Sequence, residues 1–235
     1  MKRLLYILLI PVLLSESSCT MIIKGMGKSI AKAYDDQKDL NINNLEVADQ
    51  NGKAARFGDL YAGKTVYMYV WRHTTLLPAD DTNADYKALK SRFEKYNDVV
   101  FINLYTGETE GDWKQATTLK NNAVKAYHLS ANSINADFRE LMSSSTSPQI
   151  IGKNGFILGF KGPRPADKLV VDYALFQARS GENATEATKT LIKGINSEQH
   201  FKNDQLTTWY ESHYGKKPEG KLNVSISNSG NSISN

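Results

Sequence analysis

Thr65-Val66-Tyr67-Met68-Tyr69-Val70-Trp71-Arg72-His73-Thr74-Thr75-Leu76-Leu77-Pro78 is the stretch on which the fold turns. Residues 66–71 form an unbroken run of β-branched, aromatic and apolar side chains, entered from the turn-forming Ala62-Gly63-Lys64. A run of that length without polar alternation suits a central strand covered on both faces. The charged segment after it, from about Asn83 to Tyr96, carries Tyr86, Leu89, Phe93 and Tyr96 at three- and four-residue steps, as one buried helix face requires. The junction 72–78 is therefore expected at the carboxyl end of a strand, where open α/β sheets keep their ligand sites. It holds no thiol, no Gly-rich phosphate loop and no pair of carboxylates.

Working outward, Asn97-Asp98 turns the chain into a second apolar run, Val99–Tyr105. Two such runs joined by a helix make a βαβ unit with parallel strands. Upstream, residues 41–49 and 54–57 flank Gln50-Asn51-Gly52-Lys53, a hairpin signal, and a tight helical turn then leads to Lys64. Downstream, residues 106–111 read as a polar loop, 112–126 as a helix with Trp113 near its start, 127–133 as extended or irregular, and 135–143 as a short helix. Gln149-Ile150-Ile151 and Phe156-Ile157-Leu158-Gly159-Phe160, joined by Gly152-Lys153-Asn154-Gly155, form the clearest hairpin of the chain. A Pro/Gly/Arg loop at 161–168 precedes a helical region at 169–192, with a break at Gly181-Glu182-Asn183. Phe201, Trp209, Tyr210 and Tyr214 indicate a C-terminal helix packed on the body, and the Asn/Ser-rich residues 223–235 read as a disordered tail.

The N-terminus has the layout of a secretory signal: Lys2-Arg3, an apolar run at 4–14, and Ser15-Glu16-Ser17-Ser18-Cys19 as a small-residue cleavage zone. The apolar run is too short to span a bilayer comfortably. Cys19 stands where a bacterial lipoprotein signal places its lipidated residue, and the stretch resembles a lipobox apart from Glu16. The expected organisation is thus a signal peptide at 1–18, an anchor, tether and short helix at 19–40, a main domain at 41–196, a C-terminal helical extension at 197–222, and the tail at 223–235. Thr20-Met21-Ile22-Ile23-Lys24 lacks the acidic run that marks surface export in some lipoproteins, which favours a periplasm-facing protein of the bacterial envelope. The formal charge of +4 falls by two once Lys2 and Arg3 are removed, so net charge makes no case for nucleic acid. Cys19 is the only cysteine, and using it as the anchor leaves no disulfide, thiolate nucleophile or cysteine metal ligand.

The order of elements, hairpin, β, α, β, α, then a Pro-initiated hairpin and a helix, resembles the thioredoxin arrangement. Several stretches resemble the membrane-anchored thiol-disulfide oxidoreductases of the TlpA/ResA type. The phrase Gly52-Lys53-Ala54-Ala55-Arg56-Phe57-Gly58-Asp59-Leu60-Tyr61-Ala62-Gly63-Lys64 is similar to the one preceding that family's central strand. Val70-Trp71-Arg72-His73-Thr74-Thr75-Leu76-Leu77-Pro78 matches its first Trp and its spacing, but the two cysteine positions fall on Thr75 and Pro78. Ser147-Pro148 corresponds to the family's cis-proline segment, and Gly152-Lys153-Asn154-Gly155 to the hairpin turn after it. The resemblance covers residues 41–195. It implies an α/β, thioredoxin-like fold: a central mixed β-sheet flanked by helices, with N- and C-terminal extensions.

The family's reaction does not come with its fold. Thiol-disulfide exchange needs a thiolate to attack a sulfur, and a threonine hydroxyl has no such redox couple. The expected function is a redox-inactive lipoprotein that binds a protein or peptide in a groove formed by His73, Thr74, Thr75, Pro78, Ser147 and Pro148. Two other readings stay open: a non-thiol enzyme using His73 and Thr75, and a structural subunit of an envelope complex. His73, His128, His200 and His213 show no metal-ligand spacing, and neither a metal nor a cofactor is expected.

Overall fold

In the computed structural model, which describes residues 34, 37–72, 84–107, 113, 124–129, 138 and 147–226, the run that opens the reading is a strand with all seven residues buried, β3 (Thr65–Trp71). The other strands are β1 (Glu46–Asp49), β2 (Ala54–Arg56), β4 (Val99–Tyr105), β5 (Lys125–Leu129), β6 (Pro148–Ile151) and β7 (Ile157–Gly159). The described helices are α1 (Phe57–Tyr61), α2 (Ala84–Phe93), α3 (Val170–Ala178), α4 (Ala184–Lys193) and α5 (Asp204–Tyr214).

The strands form one mixed sheet in the order β2-β1-β5-β4-β3-β6-β7. β3, β4 and β5 run parallel, while β1 pairs antiparallel with β5, and β6 with both β3 and β7. The order β4-β3-β6-β7, with β3-α2-β4 on one side and β6-β7-α3 on the other, is the thioredoxin arrangement. The pleat of β3 explains why its run carries no polar residue between Val66 and Trp71. Tyr67 and Tyr69 enter a core with Tyr86, Leu89 and Phe93 of α2, Val170 and Ala174 of α3, and Leu206 and Trp209 of α5. Val66, Met68 and Val70 enter the opposite core with Ile42, Leu45, Phe57, Tyr61 and Phe160. The Tyr67 hydroxyl, buried at the sheet centre, donates to the Pro163 carbonyl at 2.9 Å.

Both hairpins lie where the turn residues put them. Gly52 and Gly155 adopt φ of 78° and 84°, the left-handed region that glycine enters without a Cβ penalty. The break at 181–183 also stands: Asn183 caps α4 by accepting from the Glu186 amide at 2.9 Å. Asn203 caps α5 in the same way, through the Leu206 amide.

The structure revises four readings. Lys125 and Ala126, assigned to a helix from the sequence, are the first residues of β5 and pair with Ile102 and Asn103 of β4. Pairing against a buried neighbour outweighs the helical propensity of that pair. Residues 41–45 are a strap rather than strand: the Ile42 amide donates to the Gly155 carbonyl, and the Ile157 amide to that of Leu40, so the segment covers the outer edge of β7. The C-terminal helix packs on the body as expected, sharing a core with α2 and α3 through Leu206 and Trp209, but it begins at Asp204, so Phe201 lies before it in a bridge with Ile195. Last, residues 223–226 are packed rather than free. Val224 and Ile226 lie against the core, and the Ser225 hydroxyl donates to the Ala166 carbonyl at 2.6 Å while accepting from the Lys168 amide at 2.9 Å. The signal segment, Cys19, most of the tether and short helix expected at 19–40, most of the helices expected at 112–126 and 135–143, and residues 227–235 lie outside the described residues.

Candidate functional site

Three strand ends meet where a site is expected. β3 ends in Trp71 and leads through the exposed Arg72 toward His73, β4 ends in Tyr105, and β6 begins at Pro148. Tyr69 is the register partner of Pro148, and the Val70 amide donates to the Ser147 carbonyl at 3.3 Å. The Thr106 amide donates to the Trp71 carbonyl at 2.9 Å, tying the ends of β3 and β4 together. Of the six groove residues read from the sequence, Ser147 and Pro148 therefore lie beside the end of β3. His73, Thr74, Thr75 and Pro78 lie outside the described residues.

Two features of that segment differ from what the resemblance implies. No peptide bond among the described residues is cis, so Ser147-Pro148 is trans. Both Ser147 and Pro148 are buried, and the Pro148 carbonyl accepts from the Gly162 amide at 2.7 Å. The carbonyls of Ser147 and Pro148 are thus engaged within the domain. A ligand at this end would be gripped mainly by side chains rather than by β-pairing at these two residues.

Beneath the junction lies an aromatic floor. Trp71, Tyr105 and Trp113 are buried together, with the Trp71 and Tyr105 ring centroids 4.5 Å apart, and Trp113 lies 5.0 Å from the His128 ring. Trp71 Nε1 and His128 Nδ1 are buried there without a hydrogen-bond partner. The floor can pack, and its described residues include no thiol. Among the described residues no three His, Cys, Asp or Glu side chains converge in a way that could hold a metal.

Among the described residues the most concentrated buried electrostatics are elsewhere, and the sequence reading missed them. Asp172 on α3 is fully buried and receives a two-point grip from Arg92 of α2, Nε to Oδ1 at 2.6 Å and Nη2 to Oδ2 at 3.0 Å. His213 of α5, 2 % exposed, places Nε2 3.0 Å from Asp172 Oδ1 and Nδ1 3.1 Å from the Tyr96 hydroxyl. An ionised Asp172 can only accept, so Nε2 carries the proton and Nδ1 of the neutral ring accepts from Tyr96. Burial pushes the Asp172 carboxyl upward, but the hydrogen bonds from His213 and Arg92 prevail and hold it below the usual carboxylate value. Burial pulls the His213 imidazole below its ordinary value despite Asp172, with Lys95 and Arg92 acting in the same direction as burial. One sequence signal pointed here: Asp172 is the lone carboxylate within the apolar run Leu169-Val170-Val171-Asp172-Tyr173-Ala174-Leu175, and a buried charge needs a partner.

No family model matches this chain, and no curated protein does. Solved structures do show likenesses. A protein of Chlorobium tepidum, provisionally named a thiol:disulfide interchange protein DsbE, is 17% identical with a TM-score of 0.45, over 61% of this chain and 98% of its own. A provisionally named thiol-disulfide oxidoreductase of Bacteroides vulgatus is 20% identical with a TM-score of 0.41, over 55% of this chain and 90% of its own. A thiol-disulfide oxidoreductase of Bacteroides fragilis is 12% identical with a TM-score of 0.40, over 51% and 88% respectively. The strand order and connections themselves establish a thioredoxin-like fold, in a chain whose single cysteine, Cys19, lies outside the described domain and forms no Cys-x-x-Cys pair.

Proposed function

We propose that this chain is a lipid-anchored protein of the bacterial envelope, facing the periplasm, that performs no thiol redox chemistry and serves as a protein- or peptide-binding module. One observation carries the reading: the thioredoxin-like frame is complete around β3, yet the residues at the two cysteine positions are Thr75 and Pro78. A scaffold that keeps its strand-end platform without the reactive sulfurs retains shape and loses exchange chemistry. The groove would be built on the aromatic floor of Trp71 and Tyr105, with His73, Thr74, Thr75 and Pro78 facing Ser147 and Pro148.

Anchoring is supported by the signal-like N-terminus ending at Cys19. No helix among the described residues is long and apolar enough to cross a membrane. From Tyr34 the chain runs along β7, where the Phe160 amide donates to the Tyr34 carbonyl at 3.0 Å. An acylated Cys19 would therefore tether the domain by its β7 edge, and residues 20–33 fully extended would let it stand off the bilayer by at most about 50 Å.

Two measurements test the reading. Cys19→Ser is expected to move the protein from the membrane fraction to the soluble envelope fraction, and retention in the membrane would sink the anchor. In pull-downs from native envelope, Thr75→Arg is expected to lose a partner that the unaltered chain captures. Retention of every partner by a folded Thr75→Arg protein would sink the groove.

A further inference from the structure

We infer that the C-terminal segment 203–226, with α5 at its centre, is a latch over the α2–α3 face that acid releases through His213. The segment is built to come away as a unit. It contributes no strand to the sheet, so lifting it breaks no ladder hydrogen bond. Its hold on the body combines apolar packing in the core shared with α2 and α3, the buried hydrogen bonds of His213 to Asp172 and Tyr96, and a few polar ties at its ends. Leu206, Trp209 and Leu222 are buried, and Trp209 meets the Tyr173 ring edge-on at 4.7 Å. Lys95 Nζ caps the helix end by donating to the carbonyls of Ser212, at 2.6 Å, and His213. The Leu222 amide bonds the Gln199 carbonyl, and Ser225 is pinned to the 166–168 loop.

His213 is sealed inside this seam, and it is the one side chain of α5 whose ordinary pKa lies near neutrality. Its ring stacks parallel to both Trp209 and Tyr96 and lies 4.8 Å from the Phe93 ring. The charged and titratable groups around it are Asp172 from α3, Arg92, Lys95 and Tyr96 from α2 and the turn after it, and its neighbour Tyr214. The Asp172 carboxylate is already matched by Arg92 in a two-point pair, so a proton on His213 leaves an uncompensated positive charge in an apolar seam beside a second cation, Lys95. With the latch open, the ring is in water and takes its proton at the ordinary value of 6.5. The closed state thus binds fewer protons than the open one. Stability from this source is present above about pH 6.5 and is lost as the pH falls toward the depressed value of the closed state. Within that window each pH unit raises the opening equilibrium by up to about tenfold. Opening uncovers Phe93, Tyr173 and Phe176, an aromatic face on the α2–α3 side of the sheet.

The test is amide hydrogen exchange on the intact chain at pH 7.5 and pH 5, corrected for intrinsic rates, comparing α5 with β3 and β4. The opening constant of α5 is expected to rise well beyond twofold at the lower pH, with β3 and β4 unchanged. In His213→Gln, which keeps a donor toward Asp172 but cannot titrate, the rise should fall below about twofold. Should that variant fail to fold, the His213 ring resonance of the unaltered chain serves instead, since its protonation midpoint must coincide with that of α5 opening. Three results would each overturn the latch: α5 and the strands opening in one global step, an undiminished rise in His213→Gln, or His213 taking up its proton while α5 stays protected.

Discussion

Asp172→Ala is expected to destabilise the fold by about 3 kcal/mol. The substitution leaves the Arg92 guanidinium without the carboxylate that grips it at two points, and it leaves the buried Nε2–H of His213 with no acceptor. Removing one partner of a fully buried pair costs about 3–5 kcal/mol because the other charge stays desolvated and unmatched. The lower end applies here, since the Arg92 side chain is 24% exposed and can turn partly to water. Chemical denaturation gives the comparison directly, with an unchanged slope required for it to count as a stability change. A loss under about 1 kcal/mol would mean that the α2–α3–α5 seam is held by apolar packing alone. Asp172→Asn keeps the volume and one acceptor, and should fall between the alanine variant and the native protein.

The second large effect is expected at the floor of the site. Trp71 is fully buried, and its ring lies against Tyr105 at the point where β3 leaves the sheet. Trp71→Ala removes one of the two tryptophans of that cluster and should cost about 3–5 kcal/mol, as transfer energy plus the cavity left behind. Trp71→Phe should recover more than half of that loss. Its indole N–H has no hydrogen-bond partner, so exchanging it for carbon forfeits no bond. The pair of variants also bears on function. If the floor shapes the groove, Trp71→Phe should weaken partner capture while Thr75→Arg abolishes it. Full capture by a folded Trp71→Ala protein would detach the groove from the floor.

The features legible in the sequence were those written in local period and turn chemistry. β3 could be read because it is buried on both faces, which requires a continuous apolar run, and α2 because its buried positions recur at helical spacing. The β6–β7 hairpin could be read because Gly155 occupies a backbone region that other residues rarely enter. The start of β5 could not be read correctly, since Lys125 and Ala126 have no local reason to be extended before β4 offers them a ladder. The packing of residues 223–226 was hidden by composition: in a polar, Asn/Ser-rich segment, Val224, Ser225 and Ile226 find partners only once the 166–168 loop and the core are in place. At the candidate site, the sequence placed Ser147 and Pro148 beside the end of β3, and the backbone then showed that their carbonyls are already engaged.

Two things about this protein were determined by sequence alone. The chemistry excluded is a matter of composition: one cysteine, at position 19, leaves no dithiol pair whatever the fold does with the rest. The order of strands and helices is a matter of local pattern, because hydrophobic period and turn residues act over a few positions at a time. The tertiary structure alone decided which polar groups share the interior. Arg92 and Asp172 are 80 positions apart, and Asp172 and His213 are 41 apart. Burial makes a partner obligatory for a carboxylate, but the choice of partner depends on which helices the sheet brings face to face.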